Sequence, residues 1–126
     1  MTAAAATLRI PPGVLRRVVD LAEAAYPFEA CGMLTGRRNA AGAVSVSAAH
    51  HSANLADDPR RAFEVDPRLL LALHKGLRGG PDEMVGVYHS HPDAAARPSP
   101  RDLARAWQPE LAWLIVSVLD RQAVHV

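Results

Sequence analysis

The sequence predicts an α+β fold within the broad α/β class, a mixed and largely antiparallel sheet flanked by helices. Three observations carry that expectation. Short apolar or alternating stretches of strand character recur along the chain, and two runs with helical spacing interrupt them. Residues 30–36 and 43–49 also lie close enough in sequence to form a hairpin, which favours antiparallel pairing. With 126 residues, 49% of them hydrophobic and 21% charged, the chain has the composition of one globular domain, read here as residues 1–126.

Leu8 to Ile10 reads as a short strand, and Pro12-Gly13 opens a helix that carries Val14, Leu15, Val18, Val19, Leu21, Ala22 and Ala25 before Pro27 ends it. Residues 30–36 form a buried strand, Arg37 to Gly42 a turn, and Ala43 to Ala49 the antiparallel partner. A polar stretch, 50–65, is long enough to be a functional loop. Asp66-Pro67 supplies an N-cap and a first-turn proline for a helix over Arg68 to Leu77, stopped by Gly79-Gly80-Pro81. Met84 to Ser90 is a strand, 92–98 a loop, Pro100 to Trp107 a short helix, Leu111 to Leu119 a buried strand and Ala123 to Val126 a last weak one.

Composition narrows the function. Fourteen basic against 13 acidic residues give a net charge of +1, without the cationic surplus that nucleic-acid binding requires. The start of the chain lacks the charged and apolar regions of a secretory signal, and no apolar run approaches the roughly 20 residues that span a bilayer. The expectation is a cytoplasmic protein engaging neither nucleic acid nor membrane. The single cysteine, Cys31, excludes an internal disulfide and any multi-cysteine zinc site. Any metal must therefore be held by carboxylates and by some of the six histidines, His50, His51, His74, His89, His91 and His125.

The informative segment is Tyr88-His89-Ser90-His91-Pro92, continued by Ser99-Pro100-Arg101-Asp102 after seven residues counted from Pro92 to Pro98. On a strand, side chains two apart share a face, so His89 and His91 can address one divalent ion. Ser99 is a good helix N-cap and Asp102 lies in the first turn, which can return a carboxylate to the histidine pair. Two histidines and one aspartate leave a fourth tetrahedral position open, the mark of a catalytic zinc. Singly, each part has a plain reading: a chance pair of histidines, a helix cap, a solvated Glu29. In this order and spacing they point to one site. Cys31, inside an apolar strand, reads as a small buried residue rather than a nucleophile. His50 and His51 read as a surface pair, and His74 and His125 carry no pattern.

This arrangement resembles the JAMM (MPN-plus) metalloproteases, whose pattern is a glutamate entering the first core strand, then His-x-His, seven residues, Ser, two residues and Asp. Here it reads Glu29 in Pro-Phe-Glu-Ala-Cys-Gly-Met-Leu-Thr-Gly, then His89, His91, Ser99 and Asp102. Asn54, Pro59, Phe63 and Asp66-Pro67 are also similar to the loop and helix start of bacterial members, so the resemblance spans roughly residues 8–120. It implies a JAMM/cytidine-deaminase-like sheet and one Zn²⁺ per chain, ligated by His89, His91 and Asp102. It further implies Glu29 as general base and acid, Ser99 as donor to the developing oxyanion, and Asn54 at the substrate cleft.

The family's ubiquitin-chain-cleaving members carry long insertions for which this chain has no room. Its compact bacterial members act on ubiquitin-like sulfur-carrier proteins that end in Gly-Gly. The resemblance therefore implies a carrier of that kind as partner, with release of a C-terminal amino acid such as cysteine. The alternatives are a ubiquitin-like deconjugase or general peptidase of the same family, or a non-catalytic MPN scaffold. Family members usually continue with a further hairpin, so the resemblance implies a sheet that either lacks part of its last strand or completes it from a second subunit, as a homodimer.

Overall fold

The computed structural model describes residues 7–100, 102 and 111–126. Its elements are β1 (Leu8–Arg9), α1 (Pro12–Ala25), β2 (Cys31–Arg38), β3 (Val44–Ser52), α2 (Pro67–Leu77), β4 (Glu83–Pro92), β5 (Ala112–Leu119) and β6 (Gln122–His125). They form one six-stranded sheet in the order β1-β3-β2-β4-β5-β6. The β2–β3, β2–β4 and β5–β6 pairs are antiparallel, whereas β1–β3 and β4–β5 are parallel. The expected mixed, mainly antiparallel sheet with helices is what the chain forms. Among the described residues no helix is long and apolar enough to cross a membrane.

Local chemistry explains most boundaries. Proline in the first turn starts α1, and in α2 the Asp66 carboxylate accepts the Arg68 amide as an N-cap. Between β2 and β3, Asn39 Oδ1 accepts the amides of Ala41 and Ala43, both at 2.9 Å, and Gly42 takes a φ of +84°. Several expected boundaries move. Arg37 and Arg38, expected in the turn, extend β2, and β4 runs past Ser90 through Pro92. The polar loop was expected to begin at residue 50, yet His50, His51 and Ser52 continue β3, paired with Met33, Gly32 and Cys31. Ladder pairing to a neighbouring strand outweighs local polarity there. The expected helix from Pro100 to Trp107 lies mostly outside the described residues; Pro100 and Asp102 have helical backbone.

The sheet is covered differently on its two faces. On one, α1 lays Val18 and Ala22 over Leu34, Val46, Val85, Tyr88, Val116 and Val118. On the other, α2 packs Leu69, Leu70 and Leu73 against Met33 and Val87, with Phe63 and Trp113 beside them. A register shift opposite Leu34 and Thr35 leaves Val85 as an extra residue in β4, a bulge that sets which of the following side chains face which side. Gly32 lies beneath the Tyr88 ring, where a Cβ would collide with that ring and with the His50 carbonyl.

Candidate active site

Beyond the bulge, β4 alternates: Tyr88 joins the α1-side core, while His89 lies against Phe63 and Trp113 of the α2 side. His91, two residues on, follows His89 onto that face, as the spacing predicts. Asp102 comes from the helix start after the 93–99 loop. Its amide is accepted by Ser99 Oγ at 3.0 Å, and its Oδ2 accepts the Ser99 amide at 2.9 Å. This reciprocal cap fixes the carboxylate. The same oxygen lies 3.0 Å from His91 Nε2 and 3.2 Å from His89 Nε2, and the two nitrogens are 3.1 Å apart. His89, His91 and Asp102 are all buried.

Glu29 enters from the segment before β2. Its amide donates to the Pro59 carbonyl at 2.8 Å, and the next residue, Ala30, is stitched to Ser90 by bonds of 2.8 and 3.0 Å. The side chain is buried, and the ligand-capable atoms of Glu29, His89 and His91 all lie within 4.8 Å of one another. The site residues expected from sequence are therefore together, with Glu29 facing the triangle of His89, His91 and Asp102.

That triangle fits a divalent cation. His91 Nδ1 lies 2.7 Å from the Ala95 carbonyl, which can only accept, so Nδ1 carries a proton. In the neutral ring, Nε2 then presents a lone pair to the Asp102 carboxylate 3.0 Å away. Two acceptors at that distance need a proton or a metal ion between them. Tetrahedral ligands at about 2.0–2.1 Å from zinc are spaced about 3.3 Å apart, close to the separations here. Among the described residues, His89 Nδ1 is buried without a hydrogen-bond partner, so the ring is oriented by packing instead: Phe63 stacks on it at 4.2 Å between centroids and 19° between planes.

The electrostatics agree. Burial holds the His89 imidazole neutral, lowering its pKa against the opposing pull of Asp102. Burial alone would raise the Asp102 carboxyl, but the hydrogen bonds from His89 and the Ser99 amide, with the two imidazoles, hold it well below the usual carboxylate range. Cys31 pairs with His89 across β2 and β4, yet burial pushes its thiol up to about 12. It is protonated and unreactive, as a buried small residue should be.

The other candidates separate. Asn54 was expected at the substrate cleft, but its side chain is engaged inside the 53–66 loop, donating to the carbonyls of Glu29 and Ala62 and accepting the amides of Ala56 and Glu64. His50 is half-buried against the Thr35 hydroxyl at 2.8 Å, whereas His51 is exposed and reaches Tyr88 Oη at 3.3 Å. His74 and His125 are exposed. Sequence reasoning missed three supports: Ser90, which holds the Glu29 segment; Ala95, which sets the His91 tautomer; and Phe63 as the partner of His89. Only the tertiary fold brings these groups to the site.

The chain is 38% identical over 99 residues to a desampylase of Haloferax volcanii, a match covering 79% of this chain and 69% of that protein. It is 36% identical over 101 residues to a probable TtuB-protein conjugate cleaving protease of Thermus thermophilus, covering 79% of this chain and 63%, under two thirds, of that relative. A desampylase of Pyrococcus furiosus is 31% identical over 111 residues. Among solved structures, a protein of Desulfitobacterium hafniense superposes with a TM-score of 0.77 at 35% identity, covering 88% of this chain and 75% of that one. A protein of Salinibacter ruber gives 0.68 at 36% identity, covering 93% and 77%. The family model for prokaryotic homologs of the JAB domain matches residues 11–126, a span that contains Glu29, His89, His91, Ser99 and Asp102, and the chain belongs to that family.

Proposed function

We propose that the chain, acting as one domain over residues 1–126, is a zinc-dependent peptidase that hydrolyses the peptide or isopeptide bond at the Gly-Gly end of a ubiquitin-like protein. The observation that carries this reading is the convergence of His89 Nε2, His91 Nε2 and Asp102 Oδ2 within 3.0–3.2 Å, three ligand-capable atoms at the spacing of a tetrahedral metal site. His89, His91 and Asp102 would hold the zinc. Bound there, it would supply Lewis acidity and bring the pKa of a water toward neutrality. Glu29 takes the proton of the attacking water and delivers it to the leaving amine. Ser99 Oγ accepts the Asp102 amide, which leaves its own proton to donate to the substrate carbonyl oxygen as charge develops. The Ala95 carbonyl keeps the proton of His91 on Nδ1, so Nε2 stays available as a ligand.

Two substrates share this chemistry: a conjugate joined through a lysine side chain, and a sulfur carrier bearing a C-terminal cysteine. The name of the Thermus thermophilus relative puts conjugate cleavage first. The carrier implied by the motif resemblance is the second reading. A Gly-Gly-ending ubiquitin-like protein, prepared with an isopeptide-linked lysine peptide or with a terminal cysteine, separates them by mass spectrometry. Preferential release of the lysine peptide supports deconjugation, and preferential release of cysteine supports the carrier. Glu29→Gln should lower either rate by about 10²–10⁴-fold. No cleavage of either probe, in protein that also binds no zinc from a non-chelating buffer, rejects the enzyme.

A further inference from the structure

We infer that Asn54 is a positioning residue, whose side-chain amide locks the 53–66 loop onto the backbone of Glu29 and so aims the proposed base. This rests on the reading of Glu29 given above. The loop has the form of a closed surface excursion. Leu55 donates to the Glu64 carbonyl at 3.0 Å, Asn54 bridges to Val65, and the Asp66 amide donates to Ser52 Oγ at 2.8 Å. Between these ends, the Asp58 carbonyl accepts the Arg61 and Ala62 amides at 3.1 and 3.0 Å, and one side chain, that of Asn54, ties the loop to itself and to Glu29. Asn54 Nδ2 donates to the Glu29 carbonyl at 3.1 Å and to the Ala62 carbonyl at 2.9 Å, with the Pro59 carbonyl at 3.5 Å as a longer third contact. Its Oδ1 accepts the amides of Ala56 and Glu64, both at 3.0 Å.

An amide has two N–H protons and two acceptor positions, and all four are consumed here. Nothing polar remains on Asn54 with which to hold a substrate. The other half of the clamp is the Glu29 amide, which donates to Pro59 on the same loop at 2.8 Å. Both backbone groups of Glu29 are thus held by one loop, its carbonyl through Asn54 and its amide through Pro59. That loop also carries Phe63, stacked on His89 at 4.2 Å. One organised loop therefore touches both the base and the histidine it faces. A base displaced by about 1 Å can cost two orders of magnitude in rate, so fixing the backbone of Glu29 has chemical value.

Asn54→Asp tests this with little change of shape. It keeps an oxygen for the Ala56 and Glu64 amides and removes the donors to Glu29 and Ala62. The expected result is a kcat lower by about 10–100-fold with KM within about threefold. Hydrogen exchange at the Glu29 amide should also speed up by at least about tenfold while the exchange of central β2 and β4 amides is unchanged. Asn54→Ala, which loses the acceptor as well, should exceed both effects or fail to fold; Asn54→Asp then decides alone. A raised KM with unchanged kcat would assign Asn54 to substrate contact and overturn the inference. Wild-type exchange at Glu29 in Asn54→Asp would overturn it too. If the wild-type protein cleaves neither probe, the proposed function fails, yet the exchange measurement still decides whether Asn54 clamps Glu29.

Discussion

Two faces of one strand carry opposite demands. On the α1 side of β4, Tyr88 is fully buried among Val18, Leu34, Val116 and other apolar groups, over a glycine that leaves it just enough room. On the α2 side, His89 and His91 crowd against the Asp102 carboxylate with their Nε2 atoms converging. The first face is closed packing in which shape decides stability. The second gathers three ligand-capable polar groups in a buried setting, and is held by caps and ring stacking from elsewhere. Neighbours in sequence, Tyr88 and His89, are therefore expected to fail in different ways when altered.

The largest contrast comes from the core face. Leu34→Ala removes a fully buried side chain and should cost about 2–5 kcal/mol in urea unfolding. The zinc bound per folded molecule should stay at the wild-type value. Loss of zinc in proportion to stability would mean that the two faces are not separable.

Next in size is a test within the chemical face. With its thiol pushed up to about 12, Cys31 should react with iodoacetamide at pH 8 about three orders of magnitude more slowly than an ordinary thiol, and at the ordinary rate once unfolded in urea. Fast alkylation of the native protein would mean that Cys31 is open to the site.

The smallest effect concerns pH. Burial lowers the imidazole pKa of His89, and burial together with Arg17 lowers that of His50. Because their folded values lie below the unfolded value of about 6.5, the unfolded chain takes up protons first. Their contribution to stability is present above that pH and is lost as the pH falls below it. Urea midpoints of the metal-free protein should decline from pH 7 to pH 5, a window above the range in which carboxylates titrate. Replacing His50 with Gln should flatten part of that decline. Midpoints that rise on acidification would mean these imidazoles are charged in the fold.

Much of the candidate site was legible because its signals are local. Period-two alternation puts His89 and His91 on one face wherever the strand lies, and a Ser-x-x-Asp helix start turns its carboxylate back by capping chemistry alone. Asp66 capped α2 for the same reason. The extent of β3 was not legible, since the pairing of His50–Ser52 with Cys31–Met33 depends on a strand some twenty residues away. The hydrogen bonds of Asn54 were not legible either, because the carbonyls of Glu29 and Ala62 are brought to it only by the fold.

The sequence by itself determined the family, the strand and helix signals and the spacing of the residues that converge, because these follow from backbone periodicity and from caps a few residues long. Only the tertiary structure decided what holds those residues in place. Phe63 against His89, Ala95 behind His91, Ser90 under Ala30 and Asn54 beneath Glu29 range from neighbours four residues apart to partners sixty apart. Each of these contacts depends on side-chain packing or on hydrogen-bond saturation, both of which are settled only when the sheet is assembled.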